Sequence, residues 1–141
     1  MSQSFSSGSL SETETIGCKL AALLSFPACV YLQGDMAAGK TTLAKSIINS
    51  LGYCGEVTSP TYNLIQEYPV NDGVVYHMDL YRMEEPSELE YLAVADLWSA
   101  NSLFLVEWAE RGYGYLQPAD LEIHISKIYR QGQLFRDIIL K

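Results

Sequence analysis

The stretch Gly34-Asp35-Met36-Ala37-Ala38-Gly39-Lys40-Thr41 decides how this chain is interpreted. It has the G-x-x-x-x-G-K-T spacing of a phosphate-binding loop, but that spacing is informative only where the loop joins a strand to a helix. Here an apolar run over residues 28–33 precedes the loop, and apolar residues at helical spacing follow it over residues 43–51. The sequence therefore predicts a strand, a phosphate loop and a helix, and not a glycine turn before an ordinary helix.

The spacing of this loop has a physical reason. Residues with little bulk let successive backbone N–H groups turn around a phosphate, and the start of the helix adds unpaired N–H groups and a positive dipole end. Lys40 is then placed to reach the β- and γ-phosphates of a nucleotide, and the Thr41 hydroxyl is placed to ligate Mg²⁺. The predicted nucleotide contacts in this loop are Asp35, Met36, Ala37, Ala38, Gly39, Lys40, Thr41 and Thr42.

The composition indicates a globular protein without a nucleic-acid surface of its own. The 141 residues fit one domain, and 48% of them are hydrophobic. The formal net charge is −8, and the nine basic residues are scattered singly, whereas a protein that grips nucleic acid unaided usually carries a basic stripe. The three cysteines lack metal-type spacing and are predicted to be buried thiols in a reducing compartment: Cys18, Cys29 and Cys54.

The N-terminus is polar and serine-rich over residues 1–10 and lacks the basic start and apolar centre of a secretory signal. We predict a flexible arm there, followed by a single domain over residues 11–141, in a cytoplasmic protein. The longest apolar run, residues 20–32, is interrupted by Ser25 and Pro27 and is too short to cross a bilayer, so no membrane contact is expected.

The remaining patterns alternate between helix and strand. Ser11 and Glu14 have the spacing of a capping box, which predicts a first helix from about Glu12 to Leu24, and Gly52 predicts the end of the helix after the loop. Further predicted elements are a hairpin over residues 62–79, an acidic helix over 84–93, a buried strand over 102–106, and strands over 121–126 and 134–140 joined by a Gln131-Gly132 turn. The fold class is α/β: a three-layer P-loop NTPase-like domain with a parallel core sheet, an antiparallel hairpin and antiparallel C-terminal strands.

Two acidic residues directly follow predicted strands, Asp79 and Glu107. In open α/β sheets ligands bind beyond the carboxyl ends of strands, so either carboxylate can ligate Mg²⁺ or orient an attacking water. The alternative is that each caps a strand or pairs with a surface Lys or Arg, and which of the two would ligate the ion directly stays open. Trp108 is either a core aromatic or a lid over the site, and the core is the preferred interpretation.

The segment Thr58-Ser59-Pro60-Thr61 follows the helix after the loop. A switch-type loop at this point can place a hydroxyl near the γ-phosphate and the metal, which makes Thr58, Ser59 and Thr61 candidates; a plain turn into the hairpin explains the same spacing. His77 is predicted to be packed or hydrogen-bonded and not a metal ligand. His124 is predicted to point outward on an edge-like strand.

Four motifs in this order resemble the bacterial TsaE (YjeE) family, the ATPase component of the tRNA threonylcarbamoyladenosine machinery. They are G-D-x-x-A-G-K-T-T (34–42), T-S-P-T-Y (58–62), H-x-D-L-Y-R (77–82) and V-E-W-x-E (106–110), and the resemblance runs from about Thr13 to the C-terminus. It implies an ATP and Mg²⁺ site with weak hydrolysis. The roles that it implies are phosphate and metal binding for Lys40 and Thr41, the switch-like loop for Thr61, a place beside the metal for Asp79, the essential acid for Glu107 and a place next to the nucleotide pocket for Trp108.

The resemblance also implies work alongside the TsaB and TsaD proteins, which transfer the modification onto adenosine 37 of tRNAs reading codons that begin with A. Such partners would supply the basic tRNA surface, which agrees with the acidic composition. Two positions depart from the family, Ala37 where Gly is usual and Ala109 where Pro is usual. Because the usual Gly implies a positive φ at this point of the loop, Ala37 is either strained or forces a slightly different local path, and strain is the preferred interpretation.

Other functions use the same kind of loop. A small-molecule kinase brings several arginines to the transferred phosphate, and here only Arg82 and Arg111 fall near predicted loops. A non-catalytic module, in which ATP sets the affinity for a partner, needs no water-orienting carboxylate. A GTPase is disfavoured because the sequence has no Asn-Lys-x-Asp motif. A phosphate-acceptor assay distinguishes a kinase from an ATPase. A comparison of ATP binding with ATP turnover distinguishes the non-catalytic module from an ATPase.

Overall fold

A computed structural model of the chain describes residues 3–35, 37–60 and 63–141. Within these residues the strands are β1 (Gln3–Ser7), β2 (Ala28–Gln33), β3 (Ile65–Val70), β4 (Gly73–Asp79), β5 (Ser102–Glu107), β6 (Leu121–Arg130) and β7 (Gln133–Leu140). The helices are α1 (Leu10–Ala22), α2 (Lys40–Ser50), α3 (Glu88–Tyr91) and α4 (Val94–Leu97), with a 3-10 turn over Ala109–Gly112. No helix in this part of the chain combines the length and apolar character needed to cross a membrane.

All of these strands form one sheet with the order β1-β7-β6-β2-β5-β4-β3. Strands β6, β2, β5 and β4 run parallel at its centre, and β7 and β3 pair antiparallel with β6 and β4. Strand β5 is buried along its whole length, as a continuous apolar run predicts for a strand covered on both faces. The predicted fold class is confirmed, but of the two C-terminal strands predicted to be antiparallel, β6 runs parallel to β2 and only β7 is antiparallel.

Alternation along the strands sorts the core into two layers. Val75, Leu103 and Leu105 pack with residues of α1 and α2 on one face, while the next residues along, such as Phe104 and Val106, pack with the region of α3 and α4 on the other. Side chains two residues apart on a strand share a face. Consequently the last residues of β4 and β5, at the carboxyl edge of the sheet, lie on the face that is covered by α2.

The prediction of a flexible arm over residues 1–10 is wrong for Gln3–Ser7, which forms strand β1. Gln3–Ser7 pairs antiparallel with β7 as an edge strand, with Ser7 opposite Arg136. Phe5 packs against the helical core layer, and the buried Ser7 hydroxyl lies 2.6 Å from that of Thr13. Because an edge strand needs apolar residues on one face only, the serine-rich composition of this segment did not indicate a strand.

The first helix begins earlier than predicted. Ser9 is the N-cap, and its Oγ accepts the Glu12 N–H at 3.1 Å, while the Glu12 carboxylate accepts the Gly8 N–H at 2.6 Å. The capping pair is therefore Ser9 with Glu12 and not Ser11 with Glu14. Because both pairs have the same spacing, the sequence pattern alone did not separate them.

Several other elements also differ in detail. The acidic helix predicted over residues 84–93 is shorter than predicted, since only α3 (Glu88–Tyr91) lies there, and Ala93, with a φ of 53°, separates it from α4. His124 lies on β6, which is paired on both sides, so it is not on an edge strand. Of the predicted buried thiols only Cys29 is buried, since Cys18 is exposed in the groove between α1 and α2 and Cys54 is exposed in a loop after α2. The Gln131-Gly132 turn is confirmed, with φ values of 52° and 78°.

Candidate functional site

The glycine-rich loop, residues 34–41, lies at the carboxyl edge of the parallel strands. Strand β2 ends at Gln33 and α2 begins at Lys40, so the predicted strand–loop–helix context is confirmed. A tight turn closes within the loop, because the Ala38 N–H donates to the Asp35 carbonyl at 3.1 Å. Met36, a predicted nucleotide contact, lies outside the described residues.

Among the described residues of this loop, Gly34 has a φ of 157°, and two further residues lie in left-handed conformations. Ala37 has a φ of 61°, and Gly39, the N-cap of α2, has a φ of 109°. The positive φ predicted for Ala37 is thus confirmed, and it costs a residue with a Cβ about 1–2 kcal/mol. At Gly39 space is short as well, since a Cβ there would lie 3.1 Å from Arg136 Nε and 3.3 Å from Ile125 Cδ1.

Ala37→Gly is expected to increase the free energy of unfolding of the ligand-free chain by about 1 kcal/mol. Glycine removes the left-handed strain, although the gain is reduced because glycine also makes the unfolded chain more flexible. Urea denaturation without ligand measures the change. The matched control is Ala38→Gly, which adds the same flexibility at a buried residue without positive φ and is expected to lower stability. Loss of stability in both variants would contradict strain at Ala37.

Lys40 is directed inward from the first turn of α2 and is only 6% exposed. Its Nζ donates to the Gly34 carbonyl at 2.5 Å and lies 3.9 Å from the centroid of the Trp108 ring. Burial lowers the pKa of Lys40. Carboxylates act on this pKa in the opposite direction, in decreasing order Glu107, Asp79, Glu110 and Asp35. The loop thus presents one ammonium group to a set of acidic side chains.

Asp79 and Glu107 are brought together by the register of the sheet. They are direct neighbours on β4 and β5, and they lie on the same face as Val75 and Leu105, which pack with α1 and α2. Burial raises the pKa of Asp79, a hydrogen bond from the Tyr81 N–H lowers it, and the charge of Glu107 raises it further. Two adjacent, partly desolvated carboxylates favour a bound cation, which would offset their repulsion.

His77 is a residue whose part in the site the sequence did not reveal. It is fully buried, and its Nε2 lies 2.7 Å from Oε2 of Glu107, which is only 2% exposed. The prediction of a hydrogen-bonded His77 is confirmed, but its partner depends on the register of β4 against β5, which local sequence does not show. A neutral ring with its proton on Nε2 donates to this carboxylate and fixes one of its two oxygens.

Trp108 lines two cavities at this edge and also packs, half-buried, against the core layer beneath α3 and α4, so the prediction of a core side chain holds in part. The cavity around Lys40 has a volume of about 310 Å³ and is also lined by Gly34 and Glu110. The cavity on the other side, about 180 Å³, is lined by Asp79 and Ser59 among others. Half-buried between them, Trp108 is a wall of the site.

The predicted switch-like segment reaches the smaller cavity through Ser59 and Pro60. Thr58 is anchored at its backbone, where the Tyr68 hydroxyl accepts its N–H at 3.2 Å and donates to its carbonyl at 3.0 Å. Thr61 lies outside the described residues. Ser59 is therefore close to Asp79 as expected, and the switch role of the segment stays a prediction.

The other predicted contacts divide between the site and its surroundings. Thr41 follows Lys40 in the first turn of α2, whereas Thr42 lines a groove between α1 and α2. In the described ranges, no three His, Cys, Asp or Glu side chains form a ready metal cluster. The oxygen donors Thr41, Asp79 and Glu107 nevertheless suit Mg²⁺, which takes one or two carboxylates and completes its shell with phosphates and water.

Comparisons with known proteins agree with this architecture. The family model described as threonylcarbamoyl adenosine biosynthesis protein TsaE matches residues 7–134. The tRNA threonylcarbamoyladenosine biosynthesis protein TsaE of Haemophilus influenzae is 45% identical over 97 residues, which cover 69% of this chain and 61% of that protein. The protein of the same name from Bacillus subtilis is 42% identical over 119 residues, 82% of this chain and 72% of that protein. The alignment with the Haemophilus protein therefore spans less than two thirds of that relative's length.

A solved structure shares the fold over nearly the whole chain. The crystal structure of Bacillus subtilis YdiB superimposes with a TM-score of 0.77 and is 27% identical in sequence. The match covers 99% of this chain and 84% of that one. It includes the region of β1, the strand that the sequence patterns did not predict.

Proposed function

Because the chain belongs to the TsaE family of threonylcarbamoyl adenosine biosynthesis proteins, we propose that it is the Mg²⁺-dependent, ATP-hydrolysing component of that tRNA modification machinery. One observation carries the proposal. The glycine-rich loop presents the buried Lys40 to one cavity at the strand ends, and Asp79, the direct neighbour of Glu107 in the sheet, lines the adjacent cavity. A cation from the loop and paired carboxylates beside it are the groups that phosphoryl transfer requires.

Phosphate binding is assigned to the loop backbone and the start of α2. Helix α2 has no acidic residue in its first turn, and Gly39 offers it no side-chain cap. Its first N–H groups therefore remain available for an anion. Lys40 exchanges its contact with the Gly34 carbonyl for phosphate oxygens, and Trp108 keeps the ammonium group over its ring.

The metal and the attacking water are assigned to the acidic side of the site. Thr41, Asp79 and Glu107 would hold Mg²⁺, which when bound neutralises charge on the phosphates. His77 holds Oε2 of Glu107 and leaves Oε1 for the metal or for water. In this proposal Lys40, Asp79 and Glu107 are the catalytic residues.

The isolated chain is expected to hydrolyse ATP slowly, and a complex of TsaB- and TsaD-like proteins is expected to accelerate it at least about tenfold. Arg82 and Arg111 are exposed, so the chain brings few cations to the charge that develops on the phosphates, and a partner can close and desolvate the site. Phosphate release with and without the partner complex measures this, with Lys40→Met as the control for contaminating activity.

Other outcomes of that assay identify other functions. ATP binding without turnover, even in the complex, would indicate the non-catalytic module. Phosphate transfer to a metabolite would indicate a kinase. A gel-shift experiment also measures tRNA binding by the isolated chain, because a chain of net charge −8 should bind tRNA only through its partners. Tight, salt-resistant tRNA binding by the isolated chain would contradict this division of labour.

A further inference from the structure

Arg136 occupies an unusual position for a charged side chain. It lies on β7, where it pairs with Ser7 of β1 on one side and with Lys127 of β6 on the other. Ile138 and Leu140, two and four residues further along, belong to the core layer beneath α1 and α2, so Arg136 shares their face. A charged group on a core-facing row requires a polar partner.

That partner is the glycine-rich loop. Arg136 Nε donates to the Ala38 carbonyl at 2.8 Å, and the contact joins residues 98 positions apart. The aliphatic part of the side chain lies against Gly39, because a Cβ on that glycine would be 3.2 Å from Arg136 Cδ. Since β7 is paired on both sides, this contact ties the loop to a rigid part of the sheet.

The contact fixes a peptide group of the loop. In a trans peptide the carbonyl and the following N–H lie in one plane and point in opposite directions. A bond that holds the Ala38 carbonyl towards Arg136 therefore turns the Gly39 N–H away from Arg136. The fixed peptide group joins Ala38 to Gly39. Ala37 and Gly39 both have a positive φ, and at Ala37 the unrestrained backbone would favour another path.

The position of Arg136 also separates it from the phosphate contacts themselves. It does not line the cavity around Lys40, and it lies beyond residue 134, where the match to the family model ends. We propose that Arg136 is a positioning residue, which holds the Ala37–Gly39 segment in its nucleotide-binding form and thereby sets the affinity for ATP. This inference rests on the function proposed above.

The test is Arg136→Met, which keeps the aliphatic contact with Gly39 but has no hydrogen-bond donor. Titration calorimetry with ATP and Mg²⁺ is expected to show a Kd about tenfold higher than that of the wild type, since one charge-assisted hydrogen bond is lost. The matched control is Arg130→Met on the same hairpin, which removes an exposed arginine paired with Asp137 and should change the Kd less than about twofold.

The same substitution in the Ala37→Gly variant distinguishes an effect on the loop conformation from a general loss of structure. In Ala37→Gly the loop path is no longer strained, so Arg136→Met should weaken ATP binding there only about twofold to threefold. Denaturation midpoints show whether the hairpin stays folded; if Arg136→Met does not fold, Arg136→Leu, which also has no hydrogen-bond donor, replaces it in the same comparison.

An unchanged Kd in Arg136→Met, with normal ATP binding by the wild type, would overturn the inference and leave the proposed function standing. Equal losses in the wild-type and Ala37→Gly backgrounds would also overturn it, because they would show that Arg136 does not act through the loop path. A wild-type chain that does not bind ATP would overturn both the inference and the proposed function.

Discussion

Lys40→Met is expected to raise the Kd for ATP at least about 100-fold while the chain stays folded. The variant loses charge-assisted hydrogen bonds to two phosphates, and each such bond contributes about 1.5–3 kcal/mol. It also removes the positive charge that faces the acidic set formed by Glu107, Asp79, Glu110 and Asp35, so an incoming anion meets uncompensated carboxylates. The fold should tolerate the change, because methionine keeps most of the volume of the unbranched lysine side chain and leaves no buried charge without a partner.

Titration calorimetry with and without Mg²⁺ measures the effect. Lys45→Met is the matched control, since Lys45 lies on the same helix but is exposed. The control should bind ATP within about twofold of the wild type, because surface charges contribute little. ATP affinity that is equal in the wild type and Lys40→Met would show that the glycine-rich loop does not hold the phosphates.

Glu107→Gln is expected to reduce partner-stimulated hydrolysis at least about 100-fold while the Kd for ATP changes less than about fivefold. The amide keeps the volume of the side chain, and its oxygen still accepts the hydrogen bond from His77, so no buried group loses its partner. It does not carry the negative charge that secures Mg²⁺ or polarises water. Alanine at this position would leave His77 unpaired and would confuse chemistry with stability.

The measurement is single-turnover phosphate release in the complete partner complex, beside ATP affinity from calorimetry. Glu110→Gln is the matched control, because Glu110 belongs to the same acidic set but is exposed. Its turnover should fall less than about fivefold, as expected for an exposed charge. Full turnover in Glu107→Gln would transfer the catalytic role to Asp79.

Local patterns were sufficient to predict the framework of the site. The strand–loop–helix around residues 28–51 and the buried strand β5 follow from spacing and residue type within short windows, whereas the positive φ of Ala37 was implied by the glycine that is usual there in the family. The position of Asp79 and Glu107 at one edge followed from the rule that parallel strands end together. These features need no knowledge of which residues pair across the sheet.

The contacts that complete the site depend on strand pairing over long sequence separations. His77 meets Glu107 thirty residues away only because β4 and β5 adopt one particular register. Arg136 reaches Ala38 because β7 lies two strands from β2 in the sheet order. A signal for Arg136 was nevertheless present, since it shares an alternating row with Ile138 and Leu140. A charge in such a row predicts an internal partner without identifying it.

The two helices that cover one face of the sheet begin in different ways. The N–H groups at the start of α1 are capped by Ser9, whereas in the described residues α2 has neither a side-chain cap nor an acidic side chain in its first turn. A bound anion would take the place of the missing cap, so occupancy of the loop and the stability of the whole chain are thermodynamically linked. A ligand present at 100 times its Kd adds about 2.7 kcal/mol to the free energy of unfolding. Nucleotide supply would then govern how fast the chain is degraded, and its cellular abundance would follow the energy state of the cell.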